Sequence, residues 1–215
     1  MDYLMLVDRF NAVPEHFEEN IDLIEIQGKY LESQACRQCS LLLKEAERNG
    51  VAIKIISAFR TKDYQQILWN QSVSEKIGEG LSLEKAEKEV SKTLAKPGHS
   101  EHNAGLAIDF GREGSDDVED DFYKSLQAKW LCKNAARFGF ILRYPRLKEH
   151  ITGISYEPWH YRYVGTEAAQ FIKKSGLSWS VLHGWLTGKT LPSLDNILKI
   201  CNTVECSVDF LLGRE

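Results

Sequence analysis

The amino-acid sequence predicts an α+β fold: a compact domain with a central antiparallel sheet flanked by helices, followed by a small all-α tail. Residues 51–57 and 106–110 are β-branched or apolar and are typical of central strands. Residues 140–144 and 159–164 show the alternation expected of half-buried strands. Helices and strands in this order suit a compact domain with an antiparallel sheet.

Helix-forming composition fills much of the remaining chain. Gly50 and Gly139 follow two such segments, at the position where a left-handed glycine commonly ends a helix. The helices expected in the first domain cover 31–49, 63–73, 83–94 and 129–138, and a short strand is expected at 4–7.

Beyond Gly165 the strand pattern stops. We therefore divide the chain into a domain at 1–165 and a helical tail at 166–215. The expected tail helices are one over 171–186, one carrying the apolar stripe Leu194, Ile197, Leu198 and Cys201, and a short one over 207–212 that Gly213 stops.

Composition limits the classes of function. The 215 residues carry a net charge of −4, which gives no electrostatic argument for binding nucleic acid or an anionic membrane. The five cysteines are irregularly spaced and are expected to be reduced, structural thiols. The N-terminal apolar run is too short for a signal peptide or a membrane span, so no membrane association and a cytoplasmic location are expected.

Residues 97–109 are the part of the sequence that carries most of the chemistry. They read Pro-Gly-His-Ser-Glu-His-Asn-Ala-Gly-Leu-Ala-Ile-Asp and contain His102 and Asp109, while His160 follows about fifty residues later. Two imidazoles and one carboxylate are typical of a catalytic zinc site with an open position for water. Glu157, three residues before His160, could act as the general base on that water. The spacing therefore indicates a zinc hydrolase.

Three separated blocks also resemble a known family. They are Ser100-x-His102-x-x-Gly105-x-Ala107-x-Asp109, Glu157-x-x-His160 and Ser57-Ala58-Phe59-Arg60-Thr61. In order and spacing they resemble the motifs of zinc D,D-peptidases of the VanY and VanXY type. Residues 140–145 and 151–165 also look like that branch, and the resemblance runs from about residue 4 to about residue 178.

The resemblance implies roles for further residues. Arg60 would stabilise the oxyanion of the tetrahedral intermediate, which is work suited to a fixed cation. Ser100 and Gln65 would bind the substrate, although a serine two residues before a metal ligand could instead brace its loop. Aromatic side chains around the site would line the pocket or belong to the core: Tyr144, Tyr156, Trp159 and Tyr161.

The activity implied by the resemblance is specific. One Zn²⁺ per chain would support hydrolysis of the peptide bond before a C-terminal D-amino acid, in D-Ala-D-Ala or in peptidoglycan precursors, as in vancomycin resistance. The spacing alone supports only a zinc amide hydrolase. A murein endopeptidase of the endolysin type shares the motif and is one alternative. The preference for dipeptide or pentapeptide, and for a D-Ala or D-Ser terminus, stays open.

The tail offers an alternative of another class. Residues 176–193 resemble the second half of a phage-repressor-type helix-turn-helix, so a DNA-binding regulator is the second alternative. No obvious first helix precedes the motif, and five basic residues of the tail are balanced by five acidic ones. Nucleic-acid binding is therefore not expected, and the tail is expected to pack on the peptidase domain or on a partner chain as an oligomer contact.

Overall fold

The computed structural model describes residues 1–211 and Arg214, and in this part of the chain six strands form two antiparallel sheets. The strands are β1 (Leu23–Ile26), β2 (Lys29–Glu32), β3 (Ile53–Ser57), β4 (Ala107–Arg112), β5 (Phe140–Leu142) and β6 (His160–Tyr163). Strands β1 and β2 form a hairpin, and the other four form a central sheet in the order β3-β4-β6-β5. The antiparallel central sheet confirms the predicted α+β class.

Helices cover the sheet and form the tail. The α-helices are α1 (Phe17–Asn20), α2 (Ser33–Arg48), α3 (Lys62–Gly78), α4 (Leu83–Val90), α5 (Leu126–Asn134), α6 (Glu149–Thr152), α7 (Thr166–Ser175), α8 (Trp179–Leu186), α9 (Leu194–Val204) and α10 (Val208–Leu211). Short 3₁₀ helices cover Glu101–Ala104, Phe122–Lys124 and Ala135–Phe138. Within the described ranges, no helix combines the length and the hydrophobicity needed to cross a membrane.

The main core lies between helix α2 and the central sheet. Leu42 and Ala46 of α2 are fully buried in one cluster with Ile55 of β3 and Phe110 of β4. Burying an aliphatic or aromatic side chain of this size contributes roughly 1.5–3 kcal/mol each. The core therefore fixes the two strands that carry one side of the candidate site.

The hairpin of β1 and β2 was not predicted from the sequence. Its two turn residues, Gln27 and Gly28, have φ of 49° and 72°, and two positive φ values are typical of a type I′ turn. The expected helix at 31–49 therefore begins later, at Ser33. The Glu32 carboxylate ends the hairpin and caps α2, accepting hydrogen bonds from two of its first amides.

The strand expected at 4–7 is wrong. Val7 is fully buried, as the apolar pattern suggested, but residues 4–7 do not pair with a strand. The backbone here forms hydrogen bonds with a side chain instead. Arg162 donates to the carbonyls of Tyr3 and Met5 at 3.3 and 2.8 Å. The sequence pattern predicted burial correctly, but it could not identify the hydrogen-bond partner.

The tail forms four helices in the described residues and packs on the domain at 1–165. The single helix expected over 171–186 is divided at Gly176, whose φ of 66° ends α7. Trp179 of α8 is only 4% exposed and joins Ile141 and Val164 in a second apolar cluster. The expected helix end at Gly213 lies outside the described residues.

Candidate metal centre

The register of the central sheet brings three polar side chains into one row. In the pairing of β3 with β4, Ser57 lies opposite Asp109, and in the pairing of β4 with β6, Asp109 lies opposite His160. Directly paired residues project to the same face of a sheet, with Cβ atoms about 4.5–5.5 Å apart. Residues 57, 109 and 160, far apart in the chain, therefore meet on one face.

His102 enters this row from the loop before β4. It lies in the 3₁₀ helix Glu101–Ala104, where the Ser100 hydroxyl accepts a hydrogen bond from its backbone amide. Gly105 ends that helix with φ of 64°, and an added Cβ there would lie 2.6 Å from the Ile21 side chain. A glycine three residues after the histidine is thus required for the chain to turn into the strand.

Hydrogen bonds fix both imidazole rings. Nδ1 of His102 lies 2.6 Å from the carbonyl of Ala58 and donates to it, which leaves Nε2 facing the row. Nε2 of His160 lies 3.3 Å from Oε2 of Glu101, and its Nδ1 faces Asp109. In metal-binding histidines, the ring nitrogen that does not bind the metal commonly donates a hydrogen bond in this way.

The donor atoms converge as a metal site requires. One ligand atom each from His102, Asp109 and His160 lie within 4.8 Å of one another, all buried. Nε2 of His102 is 3.2 Å from Oδ2 of Asp109, and Nδ1 of His160 is 3.0 Å from Oδ1. Adjacent ligand atoms of a tetrahedral zinc site, with bonds near 2.0–2.1 Å, lie about 3.3 Å apart. The donor set therefore fits Zn²⁺.

The protonation of these groups follows from their contacts. Burial alone would raise the pKa of Asp109, but His102 and His160 hold it well below its usual range, so the carboxylate is ionised. Burial would lower the pKa of His160, but hydrogen bonds to Asp109 and Glu101 raise it to about 9. Binding a metal through Nδ1 of His160 would therefore release a proton.

Glu157 lies beside the donors. Its Oε2 is 3.8 Å from Nδ1 of His160, and the residue is 8% exposed. Burial raises the pKa of the Glu157 carboxyl to about 8. A bound divalent cation would act in the opposite direction and favour the carboxylate. Burial and a bound cation therefore act on the Glu157 carboxyl in opposite directions.

Arg60 lies against the same row. Its Nη2 is 2.9 Å from Oδ2 of Asp109, and its Nε donates to the Ser57 hydroxyl at 3.0 Å. Gln65 is fully buried, with Nε2 donating to the Ala95 carbonyl at 2.8 Å and Oε1 within 3.5 Å of the guanidinium. The described contacts of Gln65 therefore position Arg60, and its predicted role in substrate binding stays a prediction.

One cavity joins all of the predicted site residues. It has a volume of about 340 Å³ and is lined by every residue assigned to the site from the sequence: Arg60, Gln65, Ser100, His102, Asp109, Glu157 and His160. Tyr144, Tyr156 and Trp159 also line it, whereas Tyr161 is buried in the main core. His99 lies in the same loop as His102, but its Nδ1 contacts the Asp8 carbonyl at 2.7 Å, and the ring is not among the converging donors.

Glu101 is the residue that sequence reasoning missed. It is fully buried, and its Oε1 accepts from Nε of Arg143 at 2.7 Å and lies 3.2 Å from Nη1 of Arg162. Burial would raise the pKa of Glu101, but the two guanidinium groups lower it below its usual range. Its place between Ser100 and His102 was the only signal, since nothing in the sequence shows which arginines reach it.

The tail matches a protein-family model of its own. Residues 165–215 match the model described as a Cro/C1-type helix-turn-helix DNA-binding domain. The match agrees with the resemblance seen in the sequence, and it extends that resemblance back over α7. It covers less than a quarter of the chain and describes the tail alone.

The domain that carries the candidate metal centre matches known peptidases. Residues 28–166 match the VanY family, described as D-alanyl-D-alanine carboxypeptidase. A D-alanyl-D-alanine carboxypeptidase of Enterococcus faecalis (strain ATCC 700802 / V583) is 37% identical to the chain, over 81% of the chain and 63% of the relative. The chain spans less than two thirds of the length of the first curated relatives that it matches.

Solved structures show the same relationship. A mutant of the vancomycin-resistance D,D-pentapeptidase VanY from a VanB-type cassette, in complex with Zn(II), is 35% identical with a TM-score of 0.74, over 84% of this chain and 98% of that chain. VanYB in complex with D-Ala-D-Ala is 35% identical with a TM-score of 0.75, over 87% of this chain and 99% of that one. This chain belongs to the VanY family of D-alanyl-D-alanine carboxypeptidases.

Proposed function

We propose that this chain is a zinc peptidase that hydrolyses the bond before a C-terminal D-amino acid, in D-Ala-D-Ala or in peptidoglycan precursors with that end. One observation carries the proposal: the donors of His102, Asp109 and His160 converge beside Glu157 in a single cavity. The relatives support the D-configuration, because one is a D-alanyl-D-alanine carboxypeptidase and a solved neighbour holds D-Ala-D-Ala.

Each residue has a defined part in this reaction. When bound, one Zn²⁺ per chain would act as a Lewis acid and would acidify water. Glu157 takes the proton from the attacking water at its carboxylate and passes it to the nitrogen of the leaving D-amino acid. The Arg60 guanidinium stabilises the negative charge that develops on the carbonyl oxygen of the substrate. Its hydrogen bond to the Ser57 hydroxyl and its ion pair with Asp109 hold it in place.

We propose that the site accepts the long precursor. A strict dipeptidase must hold the free amine of its substrate, usually with a buried carboxylate. The Ser57 hydroxyl carries no charge and is bonded to Arg60. Asp120 lines the cavity, but it is exposed, and an exposed ion pair contributes little. The segment 77–96 supplies Thr93, Leu94 and Ala95 to the cavity wall.

Product analysis with both substrates side by side tests this proposal. D-Alanine should be released from muramyl pentapeptide with a kcat/KM at least equal to that for free D-Ala-D-Ala, and a pentapeptide ending in L-Ala should be inert. A dipeptide preference of tenfold or more, about 1.4 kcal/mol, would show a closed site. Release of D-alanine from neither substrate would refute the activity itself.

The match of the tail favours DNA binding as a second candidate function. Such readers place the start of one helix on base edges and use Lys or Arg at phosphates for most of their affinity. Here the start of α8 is covered, because Trp179 is buried against the catalytic domain and Ser180 contacts Arg143. In a gel-shift at physiological salt, we expect no sequence-selective DNA binding with a Kd below micromolar. Sub-micromolar, selective binding would restore the regulator hypothesis.

Location and assembly complete the proposal. All five cysteines are free thiols, as is usual for a protein of a reducing compartment, which supports a cytoplasmic enzyme. The tail exposes several large apolar side chains, including Leu186, Leu191 and Leu194. Exposed apolar patches commonly mark contact sites, so we also propose that copies of this chain associate through the tail.

A further inference from the structure

We infer that Ser180 of the tail is a positioning residue for the metal ligand His160, acting through Arg143 and Glu101. Three contacts join them in sequence. The Ser180 hydroxyl accepts from Nη1 of Arg143 at 3.1 Å, and Nε of Arg143 donates to Oε1 of Glu101 at 2.7 Å. Oε2 of Glu101 then accepts from Nε2 of His160 at 3.3 Å. The inference rests on the proposed zinc centre.

The first step concerns how the ring of His160 is oriented. Its Nδ1 is the atom that faces the other donors, so rotation of the ring would remove it from the site. The hydrogen bond from Nε2 to Glu101 is the contact that opposes this rotation on the far side of the ring. Partners of this kind tune metal affinity, typically by 10–100-fold when they are removed.

The second step concerns what holds Glu101. Two buried guanidinium groups lie against Oε1, and they are anchored differently. Arg162 is fixed within the catalytic domain, since it donates to the carbonyls of Tyr163, Tyr3 and Met5. The tail supplies a polar contact to Arg143, whose guanidinium carbon lies 5.0 Å from the Tyr144 ring centroid. Removing the Ser180 hydroxyl would therefore weaken the hold of Arg143 on the Glu101 carboxylate.

The third step concerns the position of Ser180 itself. The Ser178 hydroxyl caps α8 by accepting from the amide of Val181, and Trp179 is buried between these two serines. The turn that a DNA reader would insert into a groove is thus fixed on the catalytic domain, with one hydroxyl at Arg143. In this chain the helix-turn-helix-like tail braces the metal centre.

The experiment compares Ser180→Ala with Ser178→Ala in the full chain. Both variants remove one hydroxyl from the first turn of α8, but only the first removes the contact with Arg143. Zinc affinity is measured by competition with a chromophoric chelator, and folding by thermal unfolding. Ser180→Ala should weaken zinc binding by about three- to tenfold, less than loss of a partner bonded directly to a ligand. Ser178→Ala should lower Tm through loss of its cap and leave zinc affinity unchanged. Ser180→Thr, which keeps a hydroxyl, should retain the wild-type affinity.

The outcomes separate the inference from the proposed function. Equal zinc affinity in wild type and Ser180→Ala would overturn the coupling while leaving the zinc centre intact. Equal weakening in both Ala variants would also overturn it, because the effect would then follow tail stability and not the Arg143 contact. A wild-type chain that binds no zinc would refute the proposed function, and the inference would fall with it.

Discussion

Replacing Glu157 by Gln should leave the zinc content of the protein unchanged and lower kcat for D-alanine release by at least about 10²-fold. The amide has nearly the same size as the carboxyl and fits the same buried position, but it cannot accept a proton from water. The carboxyl is not among the donors that converge, which come from His102, Asp109 and His160, so the metal site does not require it. Metal analysis and steady-state kinetics on the same preparation give both quantities.

A matched control uses the same substitution at an exposed carboxylate. Glu149 of α6 is exposed and does not line the cavity, so Glu149→Gln should keep both zinc and rate. Loss of zinc from Glu157→Gln would show that Glu157 is a ligand or a structural group. Wild-type turnover by that variant would remove the residue from the mechanism.

Replacing His160 by Ala should abolish stoichiometric zinc binding and reduce hydrolysis below the rate of Glu157→Gln. The substitution removes one of three donors and also leaves Glu101 and Asp109 without the ring that lies between them. The ring's hydrogen bonds are lost and a cavity is left in its buried position, so Tm should fall as well. Metal content after dialysis and thermal unfolding are the two measurements.

His99→Ala provides the control for this prediction. It also removes an imidazole near the metal loop, but the His99 ring contacts the Asp8 carbonyl and is not among the converging donors. This variant should bind one zinc per chain and remain active. If His160→Ala instead retains zinc while His99→Ala loses it, the ligand assignment is wrong.

The sequence could indicate the candidate site because the features that bring its residues together are local. The position of Gly105 after His102 indicates a turn that tolerates no side chain, and the apolar run around Asp109 indicates a buried strand. Once 107–112 and 160–163 are both strands, pairing of Asp109 with His160 follows from one choice of register. Residue type, spacing and alternation are all readable from the chain.

The parts that were not predicted depend on long side chains and distant partners. Arg162 bonds the carbonyl groups of Tyr3 and Met5, and residues 4–7 consequently need no neighbouring strand. Glu101 lies against two arginines more than forty residues away, a contact that no local pattern encodes. The tail presented the same difficulty, because a hydroxyl such as that of Ser180 shows its partner only after the domains have packed.

Metal dependence of the wild-type enzyme is the most direct test of the proposed centre. Zinc is removed with a chelator, the chelator is washed out, and D-alanine release from the pentapeptide is followed while Zn²⁺ is added back in steps. We expect no turnover in the metal-free protein and full recovery at about one zinc per chain, because water without a metal is too weak an acid to supply the nucleophile. Full activity in a preparation shown to contain no metal would contradict this expectation.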